Sequence, residues 1–344
     1  MNKNYTLLFI NGLYRSGTAF LSRLIDAFPS TYIYEDGFRF PYYYLLDSEK
    51  SIIFPRDMQK KKELHLDRPP QNFLIFIENL QTEIRNMPLN VDLREKLLES
   101  VNIPQGGKTF LEIAEAIFDK TQEFSKASVV GTKTTHQHNY INDMLKFFPY
   151  AKWIEITRDP RAIYCSAKAS HTADLKFICE IWNDAIEAYQ NIDNKYKDRF
   201  LLVKYEDLIL YPENAVSSIQ KFLDLSFEPK FFLTNLVLKR NDNSSWFSNS
   251  SYKSDGIFWG DVGVKTAEYF DKRPVFRWRS ILNRLEKCII LNRCKANMEK
   301  MGFLENNENR SLSVRDIYDT FEWFFEISTW RFLLKEIVGS LVKK

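Results

Sequence analysis

Cysteine, histidine and glycine are scarce in this sequence of 344 residues, which holds four, four and eleven of them. The four cysteines form no Cys-x-x-Cys pair and show no metal-ligand spacing. This excludes a disulfide framework and a zinc ribbon or finger. We therefore expect free thiols in a reducing compartment and no bound metal.

An excess of charge of one sign is also missing. The sequence balances 48 Lys and Arg against 45 Asp and Glu, for a net charge of +3. A net charge this close to zero does not indicate a nucleic-acid-binding protein. We expect no nucleic-acid partner, and any anion-binding site must be local.

Long hydrophobic runs are absent as well. No stretch approaches the roughly 18 apolar residues of a membrane span, and the N-terminal apolar run at 7–10 is shorter than the core of a signal peptide and leads into a glycine turn. We expect a cytoplasmic protein, with peripheral attachment to a membrane as the alternative.

The sequence does contain the pattern of an α/β fold. Apolar segments bounded by turn residues recur at 5–11, 127–131, 153–157 and 200–203, and helical patterns lie between them. This alternation predicts βαβ units and a parallel sheet. With hydrophobic residues at 44% of the chain, a sizeable core is available.

The chain length suggests one large domain with additions. We assign residues 1–303 to this domain, with a helical insertion at 38–128, a long loop at 240–275 and a closing helix at about 278–300. Residues 304–344 read as a strongly apolar helical extension. It is expected to dock on the core or on a second subunit, with an interfacial membrane helix as the alternative.

A glycine-rich turn follows the first predicted strand and precedes a helix. Gly12 and Gly17 have the spacing of a P-loop, but Thr18 occupies the position of the phosphate-binding lysine and Ala19 that of the magnesium-binding hydroxyl. A strand, glycine turn and helix can bind a tetrahedral anion. An ordinary glycine turn and the P-loop of a small-molecule kinase are the alternatives.

A second motif begins where the predicted strand 153–157 ends. Arg158 is placed at the carboxyl edge of the sheet, where open α/β sheets bind ligands. Asp159 and Pro160 suit the start of a helix, and Ser166 follows two turns along it. A surface ion pair for Arg158 and simple packing of Ser166 remain alternatives.

In this order the two motifs resemble those of sulfotransferases that use 3′-phosphoadenosine 5′-phosphosulfate (PAPS), closest in style to bacterial glycan and tyrosylprotein-type members. Further similar segments are Gly131-Thr132-Lys133-Thr134-Thr135 and Lys204-Tyr205-Glu206-Asp207-Leu208. The similarity covers about 5–46 and 129–225, and more weakly 277–303. It implies a P-loop-like three-layer α/β fold with a central parallel sheet, a helical insertion after the first βα unit and a C-terminal helix.

The resemblance also implies site residues. The 5′-phosphosulfate is held by Arg15, Ser16, Gly17, Thr18 and Ala19. The 3′-phosphate is held by Arg158 and Ser166, and Tyr205 contributes to the adenine pocket. A late basic residue, for which Lys253, Lys265 and Arg279 are candidates, completes the phosphate site.

Catalysis then needs cations near the leaving oxygen and a base for the acceptor hydroxyl. Arg15 and Lys133 are the candidate cations. The position of the family's catalytic glutamate implies Glu35 as base with Asp36 close behind, although both could be solvated turn carboxylates. His136 and His138 are rival bases, since cytosolic relatives use histidine.

We therefore expect a sulfotransferase that moves a sulfuryl group from PAPS to a hydroxyl of a carbohydrate or glycolipid, without a metal. A glycan or small molecule is the expected acceptor, and the C-terminal helix is interpreted as a peripheral membrane or homo-oligomer contact. The alternatives are a small-molecule kinase, a tyrosylprotein-type sulfotransferase and a non-catalytic nucleotide-binding scaffold.

Overall fold

A computed structural model of the chain describes residues 3–34, 38, 64–70, 73–102, 108–246, 248–249 and 269–304. The strands are β1 Thr6–Gly12, β2 Thr31–Tyr34, β3 Val129–Lys133, β4 Ala151–Thr157 and β5 Phe200–Lys204. The first helices are α1 Thr18–Asp26, α2 Phe73–Asn86, α3 Val91–Val101, α4 Phe110–Ser125, α5 Ile141–Phe147, α6 Pro160–Ala169 and α7 Leu175–Gln190. The later helices are α8 Tyr205–Leu210, α9 Pro212–Phe222, α10 Pro229–Thr234, α11 Arg273–Phe276, α12 Trp278–Ile281 and α13 Arg284–Lys300.

These strands form one parallel sheet in the order β2-β3-β1-β4-β5. The sequence pattern predicted four of the five, and it missed β2. Strand β1 lies at the centre, so its carboxyl end is flanked by the ends of β3 and β4. This edge carries the glycine turn, Lys133 and Arg158, as the α/β interpretation requires.

Both faces of the sheet are buried, and β1 shows why. Leu7 and Phe9 belong to a cluster formed with α2 to α5, whereas Leu8 and Ile10 belong to a cluster formed with α1, α8 and α9. Alternate residues of a strand point to opposite faces, so a strand covered on both sides must be apolar throughout. The result is the predicted three-layer arrangement of helix, sheet and helix.

Two predicted boundaries differ from the structure. The helix expected at about 278–300 is split, because Leu282 is extended and Asn283 starts α13 with a capping box to Glu286. Within the predicted loop at 240–275, Arg273 already begins α11. Asn283 and Glu286 were a readable start signal that the periodicity alone did not reveal.

The predicted insertion at 38–128 contains α2, α3 and α4 in its described part. Thr109 and Glu112 form a capping box at the start of α4, which explains its sharp beginning. The C-terminal extension lies outside the described residues apart from residue 304. Among the described helices, none is both long enough and apolar enough to cross a membrane.

Candidate functional site

The turn after β1 closes on itself and turns into α1. The Ser16 hydroxyl donates to the Leu13 carbonyl at 2.6 Å and its N–H donates to the same oxygen at 3.1 Å. Gly17 has a φ of 102° and an added Cβ would lie 2.4 Å from the Tyr205 ring, so only glycine fits. The first N–H groups of α1, at Thr18 and Ala19, begin where a helix has no intrahelical acceptor.

Arg15 connects the two sequence motifs directly. It has a φ of 69°, and its Nε donates to the Ser166 hydroxyl at 2.8 Å. Arg158 reaches back from the end of β4, and its Nη1 donates to the carbonyl of Arg15 at 3.0 Å. These two hydrogen bonds join residues that are 151 and 143 positions apart in the chain, and the three residues form one cluster at the sheet edge.

Arg158 is buried and fixed on several sides. Its guanidinium lies 4.2 Å from the centre of the Tyr205 ring, and its Nη2 donates to the Pro274 carbonyl. Its Nε has no acceptor among the described residues. A buried donor without a partner fits a site that binds an anionic group, since such donors are costly to leave unpaired.

Arg277, at the junction of α11 and α12, is a residue that the sequence interpretation missed. Burial lowers the pKa of its guanidinium, the nearby thiol of Cys165 raises it, and the positive charge of Arg158 lowers it further. Two like charges held together in this way favour a bound anion. The basic run at 273–279 was the available signal, but it does not show which arginine turns inward.

Of the three candidates for the late basic residue, the structure describes one. Arg279 is exposed and lies against the rings of Phe276 and Trp278. Lys253 and Lys265 lie outside the described residues.

Lys133, the last residue of β3, is buried beside Ile10 of β1. The neighbouring strand β2 ends at Tyr34, which is paired with Thr132. Glu35 and Asp36 are the next residues in the chain, and both lie outside the described residues. Their assignment as base therefore stays a prediction.

His136 and His138 follow β3 and are both buried. Burial lowers the pKa of His136 to about 3 and that of His138 to about 4, so both rings are neutral at pH 7. The Tyr14 N–H donates to Nε2 of His136 at 3.2 Å. Within the described residues, no group of three His, Cys, Asp or Glu side chains is arranged to hold a metal ion.

The helix after Arg158 starts as the sequence predicts. Asp159 caps α6 by accepting from the Arg161 N–H at 2.8 Å, with Pro160 in the first turn. The Asp159 N–H donates to Glu206 at 3.1 Å. Burial raises the pKa of Glu206 to about 7, although Arg158 lowers it. This packing holds the start of α6 against α8 beside Tyr205.

The chain is similar in sequence to known proteins. A sequence model of the Sulfotransferase family matches residues 8–229. A protein-tyrosine sulfotransferase of Drosophila melanogaster is 23% identical over 232 residues, covering 65% of this chain and 39% of the relative. Protein-tyrosine sulfotransferase 1 of Danio rerio is 23% identical over 239 residues, covering 65% and 54%. The chain thus spans about half or less of these relatives.

Among solved structures, the sulfotransferase domain from the Synechococcus PCC 7002 olefin synthase is similar in fold, with a TM-score of 0.50 and 16% identity. The alignment covers 85% of this chain and 95% of that domain. At this identity the likeness concerns the fold. The matched segment of the family model includes both motifs and the segments that carry Lys133 and Tyr205.

Proposed function

Because this chain belongs to the sulfotransferase family, we propose that it transfers a sulfuryl group from PAPS to a hydroxyl acceptor. The observation that carries the proposal is the joining of Arg15, Ser166 and Arg158 at the carboxyl edge of the sheet. Two motifs that are read separately in the sequence form a single basic cluster. This is what a donor with two anionic ends requires.

The residues of this cluster fit the donor. The helix start at Thr18 and Ala19 and the guanidinium of Arg15 would hold the 5′-phosphosulfate. Arg158 and Ser166 would hold the 3′-phosphate, and the Nε of Arg158, which has no acceptor among the described residues, supports this assignment. The inward position of Arg277 supports it as the late basic residue in place of Arg279.

Bound PAPS supplies the sulfuryl group and a leaving nucleotide that gains negative charge as the bond to sulfur breaks. Arg15, in the turn after β1, and Lys133, at the end of β3, stabilise that charge. A base, for which we propose Glu35 with Asp36 as the alternative, takes the proton of the acceptor hydroxyl as the oxygen of that hydroxyl forms the new bond to sulfur. No step in this scheme calls on a metal.

The acceptor has two candidates. The resemblance in the sequence favours a carbohydrate or glycolipid hydroxyl. A peptide tyrosine is the second candidate, because the curated relatives are named protein-tyrosine sulfotransferases. A cytoplasmic location and a membrane or subunit contact through residues 304–344 remain proposals from the sequence.

The test is transfer of radiolabelled sulfate from PAPS to a glycan panel and to tyrosine-containing peptides. We expect one acceptor class to be labelled by the wild-type protein. Glu35→Gln should keep donor affinity and lose turnover, whereas Arg158→Ala should lose both. Phosphate transfer from ATP with magnesium, in place of sulfate transfer, would establish the kinase alternative; donor binding without transfer to any acceptor would favour the scaffold.

A further inference from the structure

The residues after β3 are tied to the glycine turn by two hydrogen bonds from a single residue. The His136 N–H donates to the carbonyl of Gly12 at 3.1 Å, and its Nε2 accepts from the Tyr14 N–H at 3.2 Å. The imidazole also lies edge-on to the Tyr14 ring, with centroids 4.2 Å apart. His136 therefore contacts the turn at its first residue, Gly12, and at Tyr14, the residue just before Arg15.

The backbone of His136 is bent to make both contacts. Its φ is 58°, in the left-handed region that a side chain with a Cβ rarely adopts. Such a conformation persists where the surroundings impose it, and it concentrates at functional sites. At His136, the groups that impose it include the Gly12 carbonyl and the Tyr14 N–H of the glycine turn.

Asn11 of β1 holds the segment 134–137, which follows β3, through side-chain hydrogen bonds. Its Oδ1 accepts from the Gln137 N–H at 3.1 Å and from the Thr134 hydroxyl at 3.2 Å. Its amide donates to both oxygens of Glu155 at 2.9 Å. The segment is thus anchored to β1 and β4 and can act as a fixed support for the turn.

The hydrogen bond to Tyr14 also determines what the ring cannot do. A neutral imidazole has one N–H and one lone pair. Since Nε2 uses the lone pair to accept from Tyr14, the proton belongs on Nδ1. No lone pair is left to remove a proton from an acceptor hydroxyl.

We propose that His136 is a positioning residue for the glycine turn and not the catalytic base. It fixes the main chain at Gly12 and Tyr14, and it thereby sets the direction of Arg15 toward the 5′ end of the donor. The proposal rests on the proposed function, because it assigns that end of PAPS to the turn. It implies that replacing the ring weakens binding of the 5′ group and spares the rest of the nucleotide.

The experiment compares His136→Ala, which removes the acceptor, with His136→Gln, whose Oε1 reaches the position of Nε2 and keeps an acceptor for the Tyr14 N–H. His171→Ala is the matched control, since His171 has a similar φ of 52° and is exposed. Calorimetry measures the binding of adenosine 3′,5′-bisphosphate and of adenosine 3′-monophosphate, which lacks the 5′ group.

We expect His136→Ala to weaken bisphosphate binding about tenfold and to leave monophosphate binding unchanged. His136→Gln should recover most of the loss, and His171→Ala should match the wild type. The acid limb of the pH profile of kcat/KM should be the same in the wild type and in His136→Gln. If His136→Ala does not fold, the binding and pH profile of His136→Gln decide the question.

A different pattern would overturn the proposal. If both His136 variants bind the bisphosphate as tightly as the wild type and lose turnover together with the acid limb, His136 is the base. If all variants bind and turn over alike, it has no positioning role. If the wild type itself binds no bisphosphate, the proposed function fails first, and this result is distinct from the other two.

Discussion

At the scale of single residues, Arg277 and Arg279 lie two positions apart but meet different surroundings. The first is half-buried beside Arg158 and the second is exposed. We expect Arg277→Ala to weaken adenosine 3′,5′-bisphosphate binding by about tenfold, or about 1.4 kcal/mol, because a cation facing the phosphate is lost. Arg279→Ala, the matched control, should bind within about twofold of the wild type. Calorimetric titration measures both, and equal losses would contradict the assignment.

Gly17 is a residue of the turn at which an added Cβ would meet both a steric clash and an unfavourable φ. An added Cβ would lie 2.4 Å from the Tyr205 ring, at a φ of 102°. We expect Gly17→Ala to lower the free energy of unfolding by about 2 kcal/mol or more and to impair donor binding, as measured by urea unfolding and by calorimetry.

Gly302→Ala is the control for this change. Gly302 also has a positive φ, of 67°, but its nearest atom to an added Cβ is the end of the Lys204 side chain at 3.6 Å. This variant carries only the backbone strain, of about 1 kcal/mol. If the two variants lose equal stability, the contact with Tyr205 is not what requires glycine.

At the scale of the elements, a buried carboxylate links three of them. Glu155 of β4 accepts from Asn11 of β1, from the Trp153 indole at 2.8 Å and from Tyr189 of α7 at 2.7 Å. Burial raises its pKa from 4.5 to about 7 despite these hydrogen bonds. The folded protein therefore holds this proton more tightly than the unfolded chain does.

The sign of the pH dependence follows from that difference. Between pH 4.5 and about 7 the folded state binds more protons at Glu155, so this group makes stability fall as the pH rises and level off above that range. Glu155→Gln should reduce this negative slope by up to about 1.4 kcal/mol per pH unit. Urea unfolding at several pH values measures it, with the exposed Glu299→Gln as control. An unchanged slope would show that Glu155 does not titrate in this window.

The same elements show how far sequence patterns reach. Strands β1, β3, β4 and β5 were predictable because their apolar runs are bounded by turn residues. All four residues of strand β2 are of types that favour strands, but so short a run is not distinguished from a loop by local pattern. It pairs with the open edge of β3. Pairing partners decide such a strand, and the local sequence does not contain them.

At the scale of the whole molecule, the proposed donor site draws on segments from both ends of the described chain. A ligand that bridges Arg15, Arg158 and Arg277 should stabilise the fold as a unit. We expect adenosine 3′,5′-bisphosphate at about 100 times its Kd to add about 2.7 kcal/mol to the free energy of unfolding. Thermal unfolding with and without magnesium measures the shift.

The result with magnesium distinguishes the alternatives. The shift should be the same in EDTA, since the scheme gives no role to a metal. ATP with magnesium should produce a much smaller shift than the bisphosphate. A shift with ATP and magnesium alone would contradict the sulfotransferase proposal and favour a kinase.

The sequence by itself determined the parallel α/β class, the glycine turn and the second motif, because strand periodicity, glycine spacing and helix capping are encoded by neighbouring residues. The tertiary structure decided which distant groups meet: Arg15 with Ser166, Arg158 with Tyr205, and Arg277 with Arg158. It also placed Nε2 of His136 against Tyr14. Contacts between residues that are distant in the chain depend on how the sheet is ordered and how the loops at its edge are packed, and no local pattern specifies either.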